Sequence, residues 1–147
     1  MKRIIVYLDG TWNTAERGGP TTNVVAIRDG LVSGLNAGII QQRVYYDEGI
    51  GTADPIDRFR GGALGFGLSD NVRQAYKYVA KHYLPGDEIY LIGFSRGAYT
   101  ARSVAGYIAT CGLLTKANCT SEREAEAWTY YHTMPKDRPA EIGRAHV

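Results

Sequence analysis

The chain has 147 residues, of which 44% are hydrophobic and 22% are charged, and its net charge is +2 at pH 7. This length fits a single domain, and this composition is typical of a folded globular protein and excludes a disordered chain. The net charge is too small to indicate binding to nucleic acid or to an anionic membrane surface.

The first predicted elements are a strand, a helix and a second strand. Residues 4–8 are a short, almost continuous apolar run, which predicts a strand buried on both faces. The run is too short for the apolar core of a signal peptide or for a transmembrane segment, so we expect a cytoplasmic chain. Asn23 predicts the N-cap of a helix whose apolar residues recur at helical spacing up to Leu35. Residues 42–46 predict the second strand.

The second half of the predicted fold repeats this alternation. Residues 52–67 are rich in glycine and show no period, so we expect a long loop that shapes a substrate entrance. Residues 69–83 predict a second helix, residues 88–92 a third strand, and residues 98–114 a third helix that ends near Gly112. Strands and helices that alternate in this way predict an α/β fold with a parallel sheet and right-handed crossovers.

The residues that point to chemistry lie between the third strand and the third helix. Gly93-Phe94-Ser95-Arg96-Gly97 fits the pattern G-x-S-x-G, in which a sharp strand-to-helix turn presents a serine as a nucleophile. The glycines two positions before and after the serine avoid steric clashes in such a turn. The pattern also arises by chance in a glycine-rich chain, but the strand before it and the helix after it favour the nucleophile.

An oxyanion hole in this arrangement uses the amide after the nucleophile and one amide from the loop after an earlier strand. The corresponding groups here are the amide of Arg96 and the region of Gly10 and Thr11. A simple turn that closes the first strand is the alternative for that region. The segment also resembles the phosphatase signature D-x-D-G-T, but Tyr7 stands where that chemistry needs an aspartate nucleophile. No glycine pattern for a nucleotide is found, and we expect neither a cofactor nor a metal.

A serine nucleophile needs a base, which an acid orients, and in this arrangement both follow the serine in the chain. Of the three histidines, His82 precedes the serine near a helix end, where interaction with helix carbonyls explains it. His132 follows the serine, and His146 lies in the last seven residues. The acidic residues before His132 are interpreted as the surface of a helix: Glu122, Glu124 and Glu126. None of the three histidines is assigned to a triad.

The last seven residues match the translation of a widely used sequencing adapter: Glu141-Ile142-Gly143-Arg144-Ala145-His146-Val147. We therefore interpret residues 141–147 as adapter read-through and residues 1–140 as part of a domain. A chance polar tail is the alternative interpretation. On the adapter interpretation, this chain is a fragment of a longer protein.

Three segments together resemble a known family. G-F-S-R-G-A at residues 93–98, L-D-G-T-W-N at residues 8–13 and Y-D-E-G-I-G-T at residues 46–52 resemble an α/β-hydrolase family. That family includes the Tle-like catalytic domain of type VI secretion phospholipase effectors. The resemblance covers nearly all of residues 1–115 and implies the N-terminal part of an α/β-hydrolase. It implies an incomplete, three-stranded parallel sheet with residues 4–8 in the middle, residues 44–46 on one side and residues 89–92 on the other.

The resemblance also implies a function. It implies a lipid or phospholipid acyl-ester hydrolase with a Ser-Asp-His triad, in which Ser95 is the nucleophile. Family members carry the acid and the histidine in D-T-V-G and G-x-H-x-D-x-G-G segments, which do not occur in this sequence, so we expect the fragment to be inactive. The full-length protein is implied to be exported by a type VI system and to meet a secretion-system or immunity partner. A non-catalytic binding or structural module on a hydrolase-like fold is the alternative.

Overall fold

The sheet has three parallel strands with the first strand in the middle. The structure, a computed structural model, describes residues 1–10, 22–31, 40–49 and 63–139, with only the backbone described for residues 63–66. The strands are β1 (Arg3–Leu8), β2 (Gln42–Asp47) and β3 (Glu88–Gly93). Their order is β2-β1-β3, which confirms the predicted α/β arrangement. Leu8 pairs with both Asp47 and Gly93, so the three strands end at the same level.

The central strand is buried because helices cover both of its faces. Within the described residues the α-helices are α1 (Asn23–Asp29), α2 (Ala63–His82), α3 (Arg96–Cys111) and α4 (Ser121–His132), and a short 3-10 helix follows at Pro135–Asp137. Ile4, Val6 and Leu8 pack in the larger core with α2, α3 and α4, whereas Ile5 and Tyr7 pack on the opposite face with Val24 of α1. Burial on both faces accounts for the nearly continuous apolar run in the sequence.

Several helix boundaries differ from those predicted. The N-cap of α1 is Thr22, not Asn23, because the Thr22 hydroxyl accepts a hydrogen bond from the Val25 amide at 3.2 Å. The helix α2 begins at Ala63, so the predicted loop over residues 52–67 is wrong in its last five residues, where two glycines hide the helical pattern. The helix α3 begins at Arg96 and ends before Gly112, whose φ of 70° stops it.

The acidic segment does form a helix, but the interpretation of Glu124 as a surface residue is wrong. Glu124 is only 1% exposed, and the Arg73 guanidinium of α2 donates to both of its carboxylate oxygens, at 2.9 and 2.6 Å. A buried carboxylate needs such a partner. The pair fastens α4 to α2. Among the helices that the structure describes, none combines the length and the apolar character that crossing a bilayer requires.

Candidate active site

Ser95 lies at the turn between β3 and α3 in a strained backbone conformation. Its φ is 54° and its ψ is −122°, and it alone among the described non-glycine residues has a positive φ. Such a conformation costs about 1–3 kcal/mol and persists only where the surroundings enforce it. The residue is exposed, and although it stands at the N-cap, its hydroxyl makes no capping hydrogen bond. Ser95 therefore lies exposed at a sharp strand-to-helix turn with a positive φ.

Two glycines make this turn possible because no side chain fits at either position. A Cβ on Gly93 would lie 2.4 Å from the carbonyl oxygen of Gly97. A Cβ on Gly97 would lie 2.0 Å from the carbonyl oxygen of Leu8 and 2.7 Å from that of Asp9. Both glycines thus allow the start of α3 to lie directly against the end of β1.

Backbone hydrogen bonds fix the turn but do not use the amide of Arg96. The amide of Phe94 donates to the Leu8 carbonyl at 3.1 Å, that of Gly97 to Phe94 at 2.9 Å, and that of Ala98 to Ser95 at 3.0 Å. Among the described residues, no acceptor is found for the Arg96 amide. This amide belongs to the first turn of a 16-residue helix, where the helix dipole favours negative charge. It can therefore donate to an anion that forms beside Ser95.

The other predicted oxyanion donors lie at the end of β1. The amide of Gly10 donates to Oδ1 of Asp9 at 2.7 Å, so its hydrogen is directed to that carboxylate. Thr11 lies outside the described residues. The carboxylate of Asp9 is 2% exposed, and its Oδ2 accepts from the hydroxyls of Thr22 at 2.6 Å and Tyr46 at 3.2 Å. Sequence reasoning missed Thr22 and Tyr46, because their sequence separation from Asp9 conceals the contact.

A third turn, after β2, packs against the same place. Gly49 has a φ of 77°, and a Cβ on it would lie 2.8 Å from the carbonyl oxygen of Asp9. The amide of Gly49 donates to the Asp47 carboxylate at 2.8 Å. Burial raises the pKa of Asp47 above its ordinary value. The turns after all three strands therefore meet at the carboxyl edge of the sheet, beside Ser95.

The surface around Ser95 is partly aromatic. Phe94 and Tyr99, one residue before the serine and four after it, are 49% and 61% exposed. A cleft of about 250 Å³ lies between α2, α3 and α4, with Tyr99, Ser103 and Trp128 among its lining residues. Exposed aromatic groups such as these can offer apolar contacts to a ligand.

The two described histidines make local contacts within their helices. Nδ1 of His82 lies 2.8 Å from the Tyr78 carbonyl oxygen, and Nδ1 of His132 lies 3.1 Å from that of Trp128. His146 lies outside the described residues. Within the ranges that the structure describes, no group of three or more His, Cys, Asp or Glu side chains could hold a metal ion.

Comparisons with known proteins connect this chain to a family. The model of the family described as "T6SS, Phospholipase effector Tle1-like, catalytic domain" matches residues 2–146. The chain is also 33% identical over 158 aligned residues to the uncharacterized protein YEL023C of Saccharomyces cerevisiae. That alignment covers 96% of this chain and 22% of the yeast protein, so the chain spans about a fifth of that relative. No solved structure matches the chain significantly.

Proposed function

Because the chain belongs to the family of Tle1-like catalytic domains of type VI secretion phospholipase effectors, we propose that it contributes the nucleophile of a lipid-ester hydrolase. The substrate is a phospholipid or another lipid acyl ester. The observation that carries the proposal is the conformation of Ser95, an exposed serine with a φ of 54° at a strand-to-helix turn. The exposed rings of Phe94 and Tyr99 beside it suit an apolar acyl group.

The proposed chemistry is acyl transfer through the serine. The Ser95 hydroxyl oxygen attacks the ester carbonyl carbon while a base removes the hydroxyl proton, and the carbonyl oxygen becomes an oxyanion. The Arg96 amide and an amide of the loop after β1 donate to that oxyanion. Since the Gly10 amide already donates to Asp9, we assign the second donation to Thr11. Collapse of the intermediate expels the alcohol, which takes up the proton, and water then releases the acyl group.

The base and its orienting acid are not assigned to residues of this chain. Both described histidines make helix-internal contacts with carbonyl oxygens, and the motifs that carry these roles in the family do not occur in the sequence. We therefore propose that the 147-residue chain alone does not turn over esters. On the same proposal, residues 1–140 are part of a longer catalytic domain and residues 141–147 are not native.

The decisive test replaces Ser95 in the protein encoded by the whole gene. We expect Ser95→Ala to lower fatty-acid release from phospholipid vesicles by at least about 10³-fold, because the nucleophile is lost. Ser103→Ala is the matched control, since Ser103 lies two turns further along α3 in the cleft, and this variant should keep most of the activity. Undiminished hydrolysis by Ser95→Ala would refute the proposal, and a folded whole protein without any ester hydrolysis would favour a binding or structural module.

A second test addresses the Arg96 amide. Arg96 is the first residue of α3, but proline there would force the preceding Ser95 out of its conformation with a φ of 54°. Replacing Arg96 by lactic acid, the α-hydroxy analogue of alanine, instead turns the amide into an ester and removes the amide hydrogen with little disturbance of the helix. We expect kcat to fall about 10²–10³-fold, the effect of losing one oxyanion donor. Arg96→Ala keeps the amide and should stay near the wild-type rate. Equal rates for the two variants would exclude the Arg96 amide as a donor.

A further inference from the structure

Asp9 is almost completely buried, and both oxygens of its carboxylate accept hydrogen bonds. Its carboxylate is 2% exposed and accepts from the Gly10 amide, the Thr22 hydroxyl and the Tyr46 hydroxyl, at 2.7, 2.6 and 3.2 Å. Burying an ionised carboxylate costs several kcal/mol unless such bonds compensate. The three donors come from the loop after β1, the N-cap of α1 and the strand β2. One side chain therefore connects three separate parts of the chain.

The backbone of Asp9 lies against the turn that carries Ser95. A Cβ on Gly97 would be 2.7 Å from the Asp9 carbonyl oxygen, and one on Gly49 would be 2.8 Å from it. The amide of Asp9 donates to the Asp47 carbonyl at 2.8 Å. The peptide that joins Asp9 to Gly10 is thus confined between the start of α3 and the turn after β2, with its amide hydrogen directed to the Asp9 carboxylate.

The partners of the carboxylate are themselves held in place. The Thr22 hydroxyl also accepts from the Val25 amide at 3.2 Å, as the N-cap of α1. The guanidinium of Arg28 lies 4.4 Å from the centre of the Tyr46 ring. Burial, together with the nearby Asp9 carboxylate, raises the pKa of Tyr46 to about 12, so its hydroxyl remains a hydrogen-bond donor to Asp9 at neutral pH.

We propose that Asp9 is a positioning residue for the Ser95 site, and that its carboxylate orients the peptide between Asp9 and Gly10 against the start of α3. The inference rests on the proposed hydrolase function. If the carboxylate is lost, this peptide can rotate, which moves a carbonyl dipole beside the place where the oxyanion forms. An error of about 1 Å in such a site costs about 10²-fold in rate. Asp9 does not itself contact the substrate, because both of its oxygens are occupied and buried.

The test compares Asp9→Ala with Asp9→Asn in the protein encoded by the whole gene, using a soluble 4-nitrophenyl ester. Asparagine keeps an oxygen for the Gly10 amide and has an NH₂ group for the two hydroxyls, which can accept as well as donate. We expect Asp9→Ala to lower kcat about 100-fold with KM within threefold, and Asp9→Asn to stay within about fivefold of wild type. Hydrogen exchange of the Gly10 amide should become faster in Asp9→Ala alone.

If Asp9→Ala does not fold, variants of its partners replace it, each with a matched control. Thr22→Val removes a helix cap and the contact with Asp9. Thr120→Val removes the equivalent cap of α4, where Thr120 accepts from the Arg123 amide at 3.3 Å, without touching Asp9. Tyr46→Phe is compared with Tyr78→Phe, whose hydroxyl donates to the Val44 carbonyl at 2.9 Å on the surface. We expect Thr22→Val and Tyr46→Phe to lower kcat about tenfold, and the control variants to keep the wild-type kcat.

Several outcomes would overturn the positioning role. The role is overturned if kcat of Asp9→Ala stays within threefold of wild type. It is also overturned if the loss of activity in Asp9→Ala is fully explained by a smaller fraction of folded protein. An Asp9→Asn variant as impaired as Asp9→Ala would show that the charge matters rather than the hydrogen bonds. If the partner variants are tested instead, the positioning role is overturned when Thr22→Val and Tyr46→Phe have the same kcat as their control variants. Activity that survives Ser95→Ala would instead refute the proposed function, so the two failures are distinguishable.

Discussion

A Cβ atom on Gly97 would lie 2.0 Å from the carbonyl oxygen of Leu8, so the first turn of α3 touches the end of β1 backbone to backbone. The Leu8 backbone cannot move to relieve such a clash, because Leu8 is paired on both sides within the central strand of the sheet. This close contact places the turn that carries Ser95 beside Asp9. It is possible only because residue 97 is a glycine and has no side chain.

We therefore expect Gly97→Ala to destabilise the protein by about 3 kcal/mol or more, because one added methyl group must separate the helix from the strand. Gly106→Ala, on the same helix, is the control. Its Cβ would meet only the end of the Tyr131 side chain, at 3.1 Å, and alanine is the better helix former by about 1 kcal/mol. Urea unfolding monitored by circular dichroism measures both. Similar stabilities for the two variants would contradict the close contact.

The strain at Ser95 gives a second prediction. Its φ of 54° is costly for any residue with a Cβ but not for glycine. Ser95→Gly should therefore be more stable than Ser95→Ala by about 1 kcal/mol, after allowing for the greater freedom of glycine in the unfolded chain. This difference corresponds to roughly 4 °C in Tm. A higher Tm for the alanine variant would mean that the turn is not strained.

The sequence allowed the sheet and the serine turn to be predicted because both depend on local patterns. The apolar run of β1 marks a strand covered on both faces, and G-x-S-x-G marks a turn whose steric requirement involves residues only two positions away. The position of β1 between β2 and β3 was implied by the family resemblance rather than by a local pattern, and the observed order confirms it.

The contacts that are distant in sequence could not be predicted. Asp9 meets Tyr46 across 37 positions, and Glu124 meets Arg73 across 51, and no single-sequence pattern encodes such pairs. Glu124 lies in a segment so rich in charge that a solvent-exposed face was the natural expectation. The start of α2 was missed for a different reason, since Gly65 and Gly67 weaken a helical pattern that the folded chain nevertheless adopts.

The ion pair between Arg73 and Glu124 gives a third prediction. The Glu124 side chain is 1% exposed and that of Arg73 is 30% exposed, and the Tyr107 hydroxyl donates to the Glu124 backbone carbonyl at 3.1 Å. Arg73→Met leaves the buried carboxylate without its cation, so we expect a loss of about 3 kcal/mol in the free energy of unfolding.

The control for this prediction is the second ion pair of α4. Arg123 and Glu126 lie 3.2 Å apart with side chains that are 46% and 59% exposed, and exposed pairs of this kind contribute less than about 1 kcal/mol. Arg123→Met should therefore change the free energy of unfolding by less than about 1 kcal/mol in urea titrations. If Arg73→Met changed the free energy of unfolding by as little as Arg123→Met, the prediction would be wrong, and the Glu124 carboxylate would not depend on Arg73.

The last prediction concerns acid stability. The Asp87 side chain is 3% exposed and accepts hydrogen bonds from the Lys2 ammonium, the Lys2 amide and the Leu84 amide. These bonds, chiefly that of the ammonium, lower the pKa of Asp87 from its ordinary 3.8 to about 2. The folded state therefore binds a proton on this group more weakly than the unfolded state does. Its contribution to stability is complete above about pH 4 and is lost as the pH falls toward 2.

Asp87→Asn removes this titration, so its Tm should lie below that of wild type at pH 6, and the difference should shrink between pH 4 and pH 2. Glu88→Gln is the control at the neighbouring position. The hydrogen bond from Arg3 lowers the pKa of Glu88 in the same direction, but its side chain is 41% exposed, and solvent weakens exposed pairs. Its Tm difference from wild type should therefore be smaller at every pH. Thermal unfolding measured at steps between pH 2 and pH 7 tests this prediction. A Tm difference between wild type and Asp87→Asn that does not change with pH would show that the hydrogen bonds of Asp87 do not depend on its charge.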